Sequence, residues 1–125
     1  MKILVVDDES LVRRALVRAF EYRGYRVFQA SDAEMGLEIW KEESPQVLVV
    51  DVLMPGKTGP EMILQGKKEN LSYQMLVFIS AFTGTENFSE QHLGRFLFLT
   101  KPFEDIFSVV ARIEAEFSKP LGGSD

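Results

Sequence analysis

The chain has 125 residues, of which 46% are hydrophobic, with a formal net charge of −5 and no cysteine. This length accommodates one well-buried core and excludes two. Without cysteine the chain can form neither disulfides nor thiolate zinc sites, which fits the reducing cytoplasm as its expected location. The negative charge argues against non-specific binding to nucleic acid, and no apolar stretch approaches the roughly 20 residues that span a membrane.

The first quarter of the chain has the pattern strand, helix, strand. Residues 2–6 form a short apolar run that is typical of a strand buried on both faces. Residues 10–23 then place apolar side chains, Leu11 among them, at helical spacing, and Gly24 follows as a helix stop. A second strand is predicted at residues 25–29.

A second helix and a third strand come next. Ser31 and Glu34 are spaced as in a capping box, in which the hydroxyl and the later glutamate bind free backbone amides. The helix is expected to turn Trp40 inward and to stop near Pro45, because the residue before a proline disfavours helical backbone. Residues 46–50 are the most apolar of the predicted strands.

Residues 54–60 are rich in glycine and proline and are predicted to be a loop. The rest of the chain gives a helix at 61–69, a strand at 74–79, a weak helix at 84–93, a strand at 96–100 and a clear helix at 104–117. Strands and helices thus alternate five times. This alternation predicts an α/β fold, in which a five-stranded parallel sheet carries helices on both faces.

Polar side chains stand where four of these strands end. Asp7 and Asp8 follow the first strand, Asp51 the third, Ser80 the fourth and Lys101 the fifth. The carboxyl ends of parallel strands meet at one edge of a sheet, where ligands bind. Clustered carboxylates take up a proton or bind a metal ion. Oxygen-only ligands favour Mg²⁺ if the substrate is a phosphoryl group.

With these residues at its strand ends, the chain resembles a known family, the receiver domains of two-component response regulators of the chemotaxis-regulator type. The motifs that carry the resemblance are Asp7-Asp8-Glu9, Asp51 with Met54-Pro55 and Gly59, Ser80-Ala81, and Lys101-Pro102-Phe103. It covers residues 1–117 and leaves 118–125 as a linker-like tail. The resemblance implies a doubly wound, flavodoxin-like (βα)5 sheet with strand order 2-1-3-4-5.

The resemblance also implies a chemistry. Asp51 would accept a phosphoryl group from a sensor histidine kinase or a histidine phosphotransfer protein. Asp8 and Asp51 would bind Mg²⁺ directly, for which Mn²⁺ is expected to substitute, Asp7 would bind it through water, and the Leu53 backbone carbonyl would add an oxygen. Lys101 would pair with Asp51 at rest and with a phosphoryl oxygen afterwards. Such a domain catalyses only its own modification and is not expected to be an enzyme with turnover.

Further positions are implied to act in switching and in dephosphorylation. Ser80 would move toward the phosphoryl group while Phe98 turns inward, although most relatives have tyrosine in place of Phe98. Leu53 and Phe82 would flank the path of the hydrolytic water, which predicts a slowly decaying phosphoform. The peptide bond between Lys101 and Pro102 is expected to be cis, since only an X-Pro bond makes that isomer accessible.

Seven of the ten phenylalanines lie between residues 78 and 107. Those expected in the core are Phe78, Phe98 and Phe107. Those expected on the surface are Phe82, Phe88 and Phe96, on the face of the fourth helix, the fifth strand and the last helix that relatives use for dimers and targets. Exposed apolar side chains often mark an interface. The alternative is that the weak helix buries them locally.

Three other classes of protein are alternatives to a phosphorylated receiver. A phosphatase of the haloacid dehalogenase kind would need a D-x-D pattern after the first strand and room for a cap domain. A flavin binder would need a phosphate-binding loop where this chain has acids. A non-phosphorylated, receiver-like adaptor stays open. Glu9 is expected to point away from the site as an early helix charge, and His92 is expected to lie on the surface.

Overall fold

The computed structural model describes residues 1–81 and 93–118. Its strands are β1 (Lys2–Val6), β2 (Arg26–Ala30), β3 (Val47–Asp51), β4 (Met75–Ser80) and β5 (Leu97–Thr100). Its helices within this part of the chain are α1 (Ser10–Tyr22), α2 (Ala33–Glu43), α3 (Gly59–Lys68) and α4 (Ile106–Phe117). All strands are parallel in the order β2-β1-β3-β4-β5, which confirms the predicted fold and strand order.

The sheet separates two apolar layers. Alternate residues of each strand point to opposite faces, so β1 sends Leu4 to one layer and Val5 to the other. The first layer packs against α2 and α3 and contains Trp40, and the second packs against α1 and α4 and contains Phe20. Because β1 and β3 are covered on both faces, their sequences are almost continuously apolar.

The N-termini of two helices differ from the predictions. Asp32, not Ser31, caps α2, and its side chain accepts a hydrogen bond from Met35 N at 2.9 Å, so the predicted Ser31–Glu34 capping box was wrong. A capping box does form between Thr58 and Glu61 at the start of α3. This helix therefore begins at Gly59, inside the stretch that was predicted to be a loop. Proline fits there because the first helical turn needs no backbone donor.

Burial also corrects several predictions. Leu11 was expected to face inward, but its side chain is 82% exposed. Phe107 was expected in the core, but it is exposed on α4 and its ring lies edge-on to Tyr22. Phe96 was expected on the surface, yet it is partly buried and lies edge-on to Phe78, with the ring centroids 5.1 Å apart.

The structure supports two further predictions and leaves others outside its range. Gly24 follows α1 with φ +94°, a left-handed conformation that favours glycine. Trp40 is buried, as the helical spacing predicted. The predictions for Phe82, Phe88, His92 and most of the weak helix fall on residues outside the described ranges. In residues 1–81 and 93–118, no helix has the length and apolar character needed to cross a membrane.

Candidate functional site

The polar residues predicted from the strand ends lie together at one edge of the sheet. Asp7, Asp51, Ser80 and Lys101 are all buried, although each carries a polar or charged side chain. Asp8 is exposed beside them. Charged side chains are almost never this buried unless they are paired. The edge is therefore a site built from paired charges and not a set of solvated strand ends.

Lys101 is at the centre of these charges. Its Nζ atom lies 3.0 Å from Oδ2 of Asp7, 3.3 Å from Oδ2 of Asp51 and 2.5 Å from Oε1 of Glu9. Burial alone would lower the pKa of the ammonium group, but these carboxylates outweigh it and raise the pKa above its ordinary value. Lys101 therefore stays charged at every physiological pH.

Three carboxylates at this edge could hold a metal ion. Each of Asp7, Asp8 and Asp51 offers an oxygen, and these atoms lie within 4.8 Å of one another. Within the described residues, Oδ2 of Asp7 is buried and makes no hydrogen bond, so its contact with Lys101 is that of an ion pair. A buried carboxylate oxygen without a donor fits a site that takes a hard cation with oxygen ligands. The donor set therefore suits Mg²⁺.

The Asp51 carboxylate is perturbed by this environment. Burial raises its pKa, the neighbouring Asp7 raises it further, and the Lys101 ammonium partly offsets both, which leaves the pKa at about 7. A buried acid of this kind either binds a proton or needs added positive charge. In neutral solution a bound cation would therefore stabilise the ionised form of Asp51.

Backbone hydrogen bonds fix the strand ends relative to one another. Asp7 N donates to Ala30 O at 3.1 Å, and Lys101 N donates to Ser80 O at 2.8 Å. Gly59 packs directly on the site, because a Cβ atom at this position would stand 2.4 Å from the backbone oxygen of Asp51. The start of α3 can approach the phosphoacceptor candidate this closely only because residue 59 lacks a side chain.

Two residues contribute more than the sequence indicated. Glu9 was expected to point away, but its side chain reaches Lys101, so that expectation was wrong. Its backbone N also donates to Oδ1 of Asp7 at 2.9 Å. Arg13 was missed: its guanidinium donates to the backbone oxygen of Asp7 at 2.8 Å and to Gln29 Oε1. Its spacing of four residues from Glu9 on α1 is the only sequence signal that it faces this loop.

Leu53, Phe98 and Pro102 are the other predicted site residues within the described ranges. Leu53 follows β3 in the loop to α3, and its side chain is 56% exposed. Phe98 lies in β5 beside Phe78 of β4 and packs partly buried against the layer that contains Trp40. The peptide bond between Lys101 and Pro102 is cis.

The fold and this group of side chains together define a class of protein, the receiver-type signalling domain. A family model of the response regulator receiver domain matches residues 3–114, and the chain belongs to this family. Phosphorylation-dependent signalling is the general function of such domains in two-component systems.

Individual relatives agree with this assignment. The chain is 34% identical over 115 residues to the response regulator MprA of Mycobacterium leprae, covering 92% of this chain and 50% of that protein. It is 34% identical over 114 residues to the alkaline phosphatase synthesis transcriptional regulatory protein PhoP of Bacillus subtilis, covering 91% and 47%. The chain thus spans about half the length of these curated relatives.

A solved structure gives the same result. The receiver domain of the hybrid histidine kinase CckA superposes with a TM-score of 0.76 and is 32% identical in sequence. The match covers 94% of this chain and 100% of that domain.

Proposed function

We propose that this domain accepts a phosphoryl group on Asp51 from a phosphohistidine of a sensor histidine kinase or a histidine phosphotransfer protein, and that the modification switches its conformation. One observation carries the proposal: a buried carboxylate at the end of β3 lies 3.3 Å from a buried ammonium group and beside two further carboxylates. A structural aspartate at a strand end has no need of such a cluster.

Asp51 is the nucleophile of the proposed reaction. An Oδ atom forms a bond to phosphorus while the bond from phosphorus to the donor imidazole nitrogen breaks, and the electron pair leaves with that nitrogen. The product is an acyl phosphate. Lys101 neutralises charge on the transferring group, since positioning and electrostatics supply most of the rate in phosphoryl transfer.

Asp7, Asp8 and Asp51 would hold Mg²⁺, or Mn²⁺ in its place, with Asp7 acting through water and the backbone carbonyl of Leu53 as a further ligand. The bound ion would supply positive charge next to the phosphoryl oxygens. The carboxylates are well suited to keep the ion at this edge, because together they carry more negative charge than Lys101 can neutralise.

Ser80 and Phe98 form the proposed switch. Ser80 ends β4 next to the site, and Phe98 lies in the neighbouring strand with its side chain partly buried. A shift of Ser80 toward a phosphoryl oxygen would open space that Phe98 can fill, and this exchange would change the surface at β5. Without a tyrosine hydroxyl, the inward and outward positions of Phe98 differ only in packing.

The proposal includes a partner and a location. A receiver domain that spans half of its curated relatives would act on an output domain or on a separate target, with residues 118–125 as the linker after a domain of residues 1–117. The surface of the last helix and β5, with the predicted helix before β5, would serve as the face for a homodimer or a target. The expected location is the cytoplasm, where sensor kinases present their phosphohistidine.

In the test, the protein is first freed of metal and then incubated with acetyl phosphate and Mg²⁺, and its intact mass is measured. We expect a gain of one phosphoryl group, which is lost with a chelator and in Asp51→Asn. Asp105→Asn is the matched control: it makes the same chemical change at the exposed cap of α4, where asparagine still caps the helix. A gain that survives in Asp51→Asn would rule out this residue as the phosphoacceptor. No gain in the wild type from acetyl phosphate or phosphoramidate would favour a non-phosphorylated adaptor.

A further inference from the structure

We propose that Glu9 positions Lys101 in the unphosphorylated domain and releases it when Lys101 neutralises a phosphoryl group on Asp51. The inference rests on the proposed function and adds a residue to it. Among the three carboxylates around the Nζ atom of Lys101, Glu9 is the nearest, at 2.5 Å, and Asp51 the most distant, at 3.3 Å. The lysine is thus shared between the helix start and the phosphoacceptor.

Competition for the ammonium group favours the release of one carboxylate. A lysine ammonium carries three protons and no acceptor. The Nζ atom donates to Glu9 and Asp51 and forms an ion pair with Asp7, so an approaching phosphoryl oxygen competes with carboxylates that already surround this atom.

Exposure decides which carboxylate leaves. The Asp7 side chain is fully buried and the Asp51 side chain is 6% exposed, whereas that of Glu9 is 57% exposed. A buried carboxylate that loses its partner stays without solvent, but the Glu9 carboxylate becomes hydrated as soon as it separates from Lys101. Glu9 is therefore the group that gives way.

The position of Glu9 also frees its side chain for this role. Glu9 is the N-cap residue of α1, and its side chain makes no capping hydrogen bond. Serine, threonine, aspartate and asparagine are the residues that usually cap a helix here. Glu9 instead extends across the strand ends to a lysine that lies 92 positions later in the chain.

The first experiment compares the rates at which acetyl phosphate modifies the wild type, Glu9→Gln and Glu104→Gln at saturating Mg²⁺. In each case an Asp51 oxygen bonds to phosphorus and acetate leaves with the electron pair. We expect Glu9→Gln to react about three- to fivefold faster, the size expected for the loss of a partly exposed ion pair. Glu104→Gln removes an exposed charge three residues after Lys101 and is expected to stay within about twofold. A Glu9→Gln rate no higher than that of Glu104→Gln overturns the inference.

The second experiment repeats Glu9→Gln in a Lys101→Met background, with radiolabelled acetyl phosphate so that slow reaction is measured. If Glu9 acts through Lys101, its replacement leaves the rate unchanged there. An equal acceleration in both backgrounds would mean that Glu9 only repels the anionic donor, which also overturns the inference. Thermal unfolding verifies the fold, and Lys101→Ala replaces the methionine variant if the latter is unfolded.

A third measurement needs no phosphorylation. In metal-free protein labelled with ¹⁵N-lysine, the slowly exchanging ammonium signal that Lys101→Met removes is expected to shift in Glu9→Gln and not in Glu104→Gln. An unshifted signal would mean that the two side chains do not pair in solution. If the wild type never gains a phosphoryl group but this signal shifts in Glu9→Gln, the proposed function is wrong. The ion pair between Glu9 and Lys101 is then still confirmed.

Discussion

The indole ring of Trp40 lies against the backbone of Gly66, where helices α2 and α3 pack over the sheet. A Cβ atom at position 66 would stand 2.1 Å from Cζ3 and 2.5 Å from Cη2 of the ring. The indole is almost fully buried, and its Nε1 donates to Ser72 O at 2.9 Å, which holds the ring in this position. A glycine that weakens α3 as an isolated helix is therefore required for the packing of the domain.

Gly66→Ala is expected to destabilise the protein despite the higher helix propensity of alanine. The added methyl group overlaps a buried ring that could move only by breaking its hydrogen bond to Ser72, and overpacking of this kind costs about 1–3 kcal/mol. Urea unfolding of this variant is compared with that of Lys68→Ala, which changes an exposed residue of the same helix. A Gly66→Ala variant as stable as Lys68→Ala would contradict the packing described for Trp40.

Asp51→Asn is expected to stabilise the metal-free domain at pH 8. The pKa of Asp51 is about 7 in the folded state and about 4 in an unfolded chain. The folded state thus binds this proton more tightly, and stability from this group falls as the pH rises from about 4 to about 7. Asparagine cannot ionise, so we expect a gain of up to about 4 kcal/mol in the free energy of unfolding at pH 8 that shrinks toward pH 5.

The measurement is urea unfolding at both pH values in a chelating buffer. Asp105→Asn serves again as the matched control at an exposed carboxylate, where a small effect is expected. If the advantage of Asp51→Asn grew as the pH fell, the sign of the pKa shift would be wrong.

The cap of α2 can be tested by a pair of neighbouring substitutions. Asp32→Ala removes the acceptor for Met35 N and is expected to cost about 1 kcal/mol of the free energy of unfolding. Ser31→Ala is expected to change it by less than about 0.5 kcal/mol, because this exposed side chain is not the cap. Equal losses from the two variants would favour the capping box that the sequence suggested.

Leu53→Asn is expected to shorten the lifetime of the phosphorylated domain. The exposed, bulky side chain lies two residues after Asp51 and is expected to exclude hydrolytic water, with a wild-type half-life of minutes or longer. A change of about 1 kcal/mol in the barrier makes hydrolysis roughly fivefold faster. The decay of the phosphoform is timed by intact mass, with Leu64→Asn on the surface of α3 as the control. A wild-type half-life of seconds would contradict the proposed role.

The sequence predicted the sheet and the members of its acidic edge for the same reason. Strands that are buried on both faces are uniformly apolar, so the first polar residue after each run marks a strand end. Asp51 and Lys101 could be assigned to one edge from that pattern alone, although they lie 50 residues apart. The assignment required no knowledge of side-chain conformations.

What the sequence could not show depends on neighbours that are distant in the chain. Helical spacing places Leu11 on the same side as buried residues, but it does not say whether another element covers it. Phe107 was expected in the core, although the spacing of the last helix did not place it on the apolar side. A negative charge at Glu9 is favourable at the start of a helix in any case, so the sequence does not indicate that its side chain reaches Lys101. In the same way, the sequence shows that Gly66 weakens a helix but gives no sign of the indole ring that requires it.

The two halves of the site differ in how firmly the sheet holds them. Asp7 follows β1 and Asp51 ends β3, and each of these strands is paired with a strand on both sides, whereas Lys101 follows β5 at the edge. Edge strands open in local fluctuations at lower free energy than interior ones, so hydrogen exchange should release β5 before β1 or β3. Such an opening would carry the ammonium group away and leave the carboxylates in place. The domain would then attract cations most strongly while its edge strand is briefly open.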